Sequence, residues 1–386
     1  MSEIGLTPAR RGPVGAMLPS LSMTDENDRL VDAITGILPP LLNALDGLEF
    51  AARNLHPEGL ERLWSMLSPL ADALRNARPA LEKAAWPERL DGPKQALSGS
   101  ADTALDALAR MEVAGGAGDM QEALRGTRAR APALEYLYPL SPMLPPVSRF
   151  FLEPPARGDE ARLERLARPG RPEAGVTHFG NGRGERGGWS LFVPEDLDPD
   201  TPAPLVVALH GGGGHGRLFL WSWLRAARTA GAILAAPTST ARTWALMGDD
   251  PDTPRLLEIV AEIRGRHRVD PARLLLTGMS DGATFSYVSA LPSDGPWTHL
   301  APFAGAFHPM LLEFVSAGRL KGLPVYLAHG ALDWMFPVAI ARAARDAFSA
   351  RGAAVTYREL PDLAHAFPTE ECAAVLAWLK ETPPTG

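Results

Sequence analysis

The sequence predicts an α/β fold, a mostly parallel sheet with helices on both faces, preceded by an α-helical N-terminal domain. Three observations predict it. From about Gly175 onward, apolar runs of strand length alternate with stretches of helical spacing, as parallel strands joined by crossover helices require. Before that point Leu30, Ile34, Leu38, Leu41, Leu45 and Leu48 recur at intervals of three and four, the spacing of one helix face. The proline-rich stretch from Pro139 to Pro146 separates the two patterns.

Residues 1–24 are rich in Gly, Pro and Ser without periodicity and are expected to form a disordered tail. Residues 25–149 read as the helical domain. Its first helix begins near Glu26, and Pro39 and Pro40 are expected to break or kink it. A second helix is expected over 58–77, with Leu60, Leu63, Trp64, Leu67, Leu70 and Leu74 on one face, and further helices over 101–113 and 120–137. Such stripes are ordinarily buried, so they read as core rather than as a cofactor or lipid site. Residues 150–174 read as a linker or a short bridging helix. In 175–386, strands are expected at 189–193, 205–209, 232–236, 273–277, 302–307, 324–330 and 354–360. Helices are expected at 218–229, at 254–267, after Ser280 and at the end of the chain. The short interval between 307 and 325 leaves room for little or no cap within this domain.

The chemistry centres on Ser280, in the pentapeptide Gly278-Met279-Ser280-Asp281-Gly282 between a strand and a helix. A serine in so sharp a turn takes a strained backbone conformation, and its flanking residues must be small. Upstream, the strand 205–209 runs into His210-Gly211-Gly212-Gly213-Gly214-His215-Gly216. Backbone N–H groups without side chains can approach a developing oxyanion closely, so Gly212 or Gly213 is expected to give one donor and Asp281 the other. Asp333 follows the strand 324–330, and His365 lies between the last strand and the closing helix. The order Ser280, Asp333, His365 is that of the α/β-hydrolase triad and not that of the chymotrypsin or subtilisin types. In this reading His365 accepts the serine proton and passes it to the leaving alcohol, while Asp333 orients the imidazole.

On these residues the segment from about Gly175 to Leu379 resembles an α/β-hydrolase of the serine esterase group. It is similar to the phospholipase/carboxylesterase branch and to the polyhydroxyalkanoate-depolymerase or feruloyl-esterase-like branch. The resemblance implies a cofactor-independent serine hydrolase that cleaves a small-molecule or lipid ester through an acyl-enzyme. A thioesterase, an acyltransferase or a peptidase would use the same triad. A reading of another class, an interaction protein on a hydrolase scaffold, is disfavoured because all three triad residues are present. Asp281 departs from the small or amide residues common in these relatives; a carboxylate suits the first turn of a helix, and its side chain is expected to point away from the pocket.

Trp244, Trp334, Met335 and Phe336 are expected to border the substrate pocket, with Trp221, Trp223 and Met247 nearby. An apolar pocket favours an uncharged acyl group. His210 is expected to be structural. His215, His308 and His329 lack metal-ligand spacing, so no metal is expected. The two G-x-G-x-x-G matches, Gly211 to Gly216 and Gly182 to Gly187, lack the strand or the acidic partner of a dinucleotide site.

Composition bounds the rest. The 386 residues are 46% hydrophobic, normal for a globular chain, and the net charge of -7 argues against nucleic-acid binding. Cys372 is the only cysteine, which excludes an intrachain disulfide. No run reaches the roughly 18 apolar residues of a transmembrane segment, and no secretory signal is apparent, so a cytoplasmic protein is the default expectation. The helical domain is a candidate cap for the active site or a candidate homodimer interface.

Overall fold

The computed structural model describes residues 23–292 and 295–382; the expected N-terminal tail falls outside them except for its last two residues, which open the first helix. The helical layer runs α1 (Met23–Arg53), α2 (Leu60–Lys83), α3 (Asp91–Ala117), α4 (Met120–Leu137), α5 (Pro145–Phe150) and α6 (Glu160–Leu166). Pro39 and Pro40, expected to break or kink α1, do not break it. Each removes an N–H donor, but Ile37, Leu38, Leu41, Ala44, Leu45 and Leu48 on both sides of the pair are buried in one stripe that needs a continuous helix. For the same reason α2 passes through Pro69 and Pro79 and extends beyond residue 77. Asp119 caps α4, its carboxylate accepting from the N–H groups of Gln121 (2.8 Å) and Glu122 (3.2 Å).

The sheet and its covering helices follow in the order β1 (Gly175–Phe179), β2 (Trp189–Val193), β3 (Ala203–Leu209), α7 (Gly216–Ala230), β4 (Ile233–Pro237), α8 (Asp252–Arg266), β5 (Val269–Met279), α9 (Asp281–Ala290), β6 (His299–Phe303), α10 (Ala317–Leu320), β7 (Pro324–Gly330), α11 (Ala339–Ala350), β8 (Ala354–Leu360) and α12 (Glu371–Glu381). Strand order is β1-β2-β4-β3-β5-β6-β7-β8. The β1/β2 and β2/β4 pairs are antiparallel and the remaining pairs parallel. The chain therefore reverses its direction of travel across the sheet at β3, which lies between β4 and β5. Ligands of open α/β sheets bind outside the carboxyl ends of strands at such a switch point. The strand expected at 302–307 is β6, a few residues earlier, and β1, half-exposed along its length, was not anticipated.

Successive residues of β3 point to opposite faces. Leu205, Val207 and Leu209 enter a core shared with α8, α9 and α11. Val206 and Ala208 enter the other core, which continues through Trp221 and Trp223 of α7 and Val375 of α12 into Leu41, Leu45, Leu67, Leu74, Ala107 and Leu134 of the helical layer. The helices thus share a core with one face of the sheet.

Buried charge ties the two layers together. Arg228 of α7 is fully buried; it bonds Glu195 at 3.1 Å and the Ser148 carbonyl at 2.9 Å, and Glu195 also accepts from the Tyr138 hydroxyl. Arg130 of α4 bonds Glu49 of α1 at 2.6 Å and the Leu45 carbonyl at 2.9 Å, and Arg225 of α7 bonds Glu49 and Asp46. Burial raises the Glu49 pKa, but Arg130 and Arg225 outweigh it and hold it below the ordinary carboxylate value. Removing one partner of such a pair leaves the other charge buried and alone. Arg228→Met is expected to cost about 3–5 kcal/mol in urea denaturation, and the double variant Arg228→Met/Glu195→Gln to recover part of the loss. A single variant as stable as the parent would show that the pair does not hold the layers.

Candidate active site

Ser280 stands between β5 and α9 with φ 56° and ψ -118°, a conformation that L-residues other than Gly rarely adopt. Its N–H donates to the Phe303 carbonyl at 2.9 Å and its carbonyl accepts from the Thr284 N–H at 2.9 Å, so neighbouring elements hold the strained turn. The flanking glycines are required by space. A β-carbon at Gly278 would lie 2.5 Å from the Gly282 carbonyl carbon, and one at Gly282 would lie 2.4 Å from the Leu209 carbonyl oxygen.

Ser280, Asp333 and His365 come together at the carboxyl edge of the sheet. His365 Nε2 is 3.1 Å from Ser280 Oγ, and His365 Nδ1 is 2.9 Å from Asp333 Oδ2. Nδ1 faces a carboxylate that only accepts, so Nδ1 carries the proton and Nε2 is free to accept from the serine hydroxyl. The other Asp333 oxygen accepts from the N–H groups of Met335 (2.9 Å) and Phe336 (2.7 Å). Burial alone would raise the Asp333 pKa; the bonds from His365 and from the two N–H groups outweigh it and leave it below the ordinary value, so the group is ionised at neutral pH. His329 had no assigned role in the sequence. Its Nε2 donates to the Phe336 carbonyl at 2.8 Å and lies 3.4 Å from Asp333 Oδ2, which braces the turn that carries the acid.

The loop between β3 and α7 is pinned by His210. Its Nδ1 donates to the Gly211 carbonyl at 2.7 Å and its Nε2 accepts from the Ser239 N–H at 3.1 Å. These partners require a neutral ring, and burial lowers its pKa to about 4. Of the two glycines expected to offer an N–H to an incoming oxygen, Gly213 already donates its N–H to the Arg242 carbonyl at 3.2 Å. The Asp281 side chain does not turn away as expected. Asp281 lines the cavity at Ser280, and its Oδ2 accepts from Thr243 Oγ1 at 2.6 Å and would stand 2.5 Å from a β-carbon at Gly212. The reason is local: Gly212 leaves a gap that the carboxylate fills, and Thr243 holds it there.

A cavity of about 500 Å³ opens at Ser280 and His365. Of the four residues expected at a substrate pocket, Trp334 and Met335 line this cavity and Trp244 and Phe336 do not. Trp244 is buried beneath the loop, its Nε1 donating to the His210 carbonyl at 2.7 Å and its ring stacked on Phe285. The Phe336 ring packs edge-on to His365 with centroids 5.4 Å apart, supporting the imidazole from behind the turn. Of the other aromatics, Trp221 lines the cavity, Trp223 is buried against Phe303 and Phe367, and Met247 is exposed. The opposite wall comes from the helical layer: Ala52 of α1, Leu55 just beyond it, and Met120, Leu124 and Ala131 of α4. Sequence reasoning missed these residues, because no local pattern ties a helix stripe to a serine more than a hundred positions away. Among the described residues no group of three or more His, Cys, Asp or Glu side chains is placed to hold a metal ion.

The His210 ring has a consequence for stability. Its folded pKa of about 4 lies below the ordinary histidine value, so as pH falls from 6.5 toward 4 the unfolded chain takes up a proton that the folded chain refuses. Stability from this group is full above pH 6.5 and falls across that window by about 1.4 kcal/mol per pH unit. Urea midpoints at stepped pH values are expected to fall less steeply in His210→Gln than in the parent; equal slopes would exclude the effect.

Residues 255–382, which include Ser280, Asp333 and His365, match the phospholipase/carboxylesterase family. No curated protein matches the chain. Among solved structures, a thermostable esterase is 21% identical with a TM-score of 0.45, over 54% of this chain and 62% of that one. An S-formylglutathione hydrolase from Agrobacterium tumefaciens is 16% identical with a TM-score of 0.43, over 54% and 94%. Acyl-protein thioesterase 2 of Zea mays is 21% identical with a TM-score of 0.39, over 50% and 98%. The sheet order and the strained turn at Ser280 give the region from Gly175 onward the α/β-hydrolase fold, and residues 255–382 are similar to the phospholipase/carboxylesterase family.

Proposed function

We propose that the protein is a serine hydrolase that cleaves carboxylic esters through an acyl-enzyme on Ser280. The observation that carries this reading is the continuous hydrogen-bonded series from Ser280 Oγ through His365 to Asp333. As Oγ attacks the ester carbonyl carbon, its proton passes to His365 Nε2, and Asp333 stabilises the imidazolium. The carbonyl oxygen gains the electron pair and is held by the N–H groups of Gly212 and Asp281. Collapse of this intermediate breaks the bond to the alcohol oxygen, which takes the proton from His365. Water then enters, gives a proton to His365 and attacks the acyl carbon; return of the proton to Ser280 frees the acid.

The acyl group is assigned to the cavity between the catalytic loops and the helical layer, whose apolar lining suits an uncharged chain. In this reading the N-terminal helices act as the cap that the interval between β6 and β7 is too short to supply.

Hydrolysis of p-nitrophenyl esters from acetate to palmitate is expected in the parent and is expected to fall by several orders of magnitude in Ser280→Ala. Activity retained in Ser280→Ala would sink the assignment of the nucleophile, and no activity on any ester in the parent would sink the ester reading. Leu124→Trp, which fills the cavity from α4, is expected to move the chain-length optimum toward shorter acyl groups. An unchanged optimum would remove the helical layer from the acyl site.

A further inference from the structure

The carboxylate beside the nucleophile is not used by the reaction just described. Asp281 is half-buried and lines the cavity with Ser280, and it lies against Gly212, one of the two residues assigned to the oxyanion. Its one described side-chain bond comes from a neutral group, the Thr243 hydroxyl, and no described ion pair includes it. A negative charge at this place repels the charge that grows on the substrate oxygen. The start of α9 tolerates a carboxylate through its dipole, but this does not account for the side chain being held toward Gly212. Oδ2 accepts from Thr243, and the carboxylate keeps capacity to accept further bonds.

We propose that Asp281 is a specificity residue that selects esters carrying an ammonium group within a few bonds of the scissile carbonyl. The inference rests on the esterase reading of Ser280. A substrate cation turns the repulsion into a charge-assisted hydrogen bond and offsets the field of Asp281 at the oxyanion. Trp334, half-exposed on the same cavity with its ring centroid 6.2 Å from that of His365, adds an aromatic face of the kind that attracts ammonium groups. The arginines on the cavity, Arg128 and Arg130, both belong to the helical wall. Arg130 is bonded to Glu49, and Arg128 is exposed on α4.

The test is acid release in a pH-stat at about pH 6.5, below the ordinary α-amino pKa of about 7.7–8.0, on two pairs of esters matched in shape. Glycine ethyl ester against ethyl propionate places the cation on the acyl side. 2-(Dimethylamino)ethyl acetate, protonated at this pH and so carrying an N–H, against 3-methylbutyl acetate places it on the alcohol side. The quantity read is the ratio of kcat/KM for the cationic ester to that for its neutral partner, in the parent and in Asp281→Asn; the ratio cancels any general effect on the oxyanion N–H. The proposal expects a ratio of about ten or more in at least one pair, falling toward one in Asp281→Asn, and the responding pair identifies the side that carries the charge. Parent ratios near or below one in both pairs overturn the proposal. So does a ratio that Asp281→Asn leaves unchanged, since the carboxylate then only holds the loop. Failure of the esterase reading shows separately, as no hydrolysis of these four esters or of any ester of the p-nitrophenyl series; hydrolysis in that series with none of the four cleaved overturns this proposal alone.

Discussion

Two missing β-carbons hold the candidate site open. At Gly278 the backbone of α9 passes too close for any side chain, and at Gly282 the end of β3 does. This contact lets β5 turn directly into α9, and the turn forces Ser280 to a positive φ that costs about 1–3 kcal/mol. The strain is borne by the sheet, because the Ser280 N–H and the Phe303 carbonyl bond across to the next strand. The hydroxyl is thereby lifted to the carboxyl edge, where the turns after β7 and β8 deliver Asp333 and His365. A larger residue at either glycine would push β3, β5 and α9 apart and move the Gly212 loop and the serine together.

The helical layer is joined to this edge by a different kind of constraint. Apolar packing continues from the sheet through α7 into α1 and α4, but apolar contact alone fixes neither angle nor register. The buried arginines do. Arg225 and Arg228 reach from α7 to carbonyls and carboxylates whose positions depend on how α1, α5 and the turn after β2 are seated. A guanidinium left a few ångströms from its partners would be a bare buried charge, so the arrangement tolerates little sliding. The cavity wall inherits that precision, since Glu49 and Arg130 lie on it along with Ala52 and Leu124.

Acidic groups near Ser280 divide by what surrounds them. Asp333 is met by an imidazole and two N–H groups, so its charge is compensated in place. Asp281 has one hydroxyl and a face open to the cavity. Asp333 is thus enclosed among its donors, whereas Asp281 stands at the cavity beside Ser280.

The sequence alone determined whatever depends on short stretches of chain. Apart from half-exposed β1, the strands were legible as apolar runs between turns, and the pentapeptide around Ser280, the glycine loop after β3 and the order of Ser280, Asp333 and His365 were legible because each belongs to a strand end. Helices that begin at strong local signals, as α4 does after Asp119, were placed well. Tertiary structure decided the rest. Prolines inside α1 and α2 did not break them, because a buried stripe on both sides outweighs the lost bonds. Trp244 went beneath the loop and not into the cavity because its N–H found the His210 carbonyl. Asp281 turned toward Gly212 because Thr243, on another loop, holds it there. The far wall of the cavity came from helices at the other end of the chain, and no local periodicity reports which distant surface a helix face will meet.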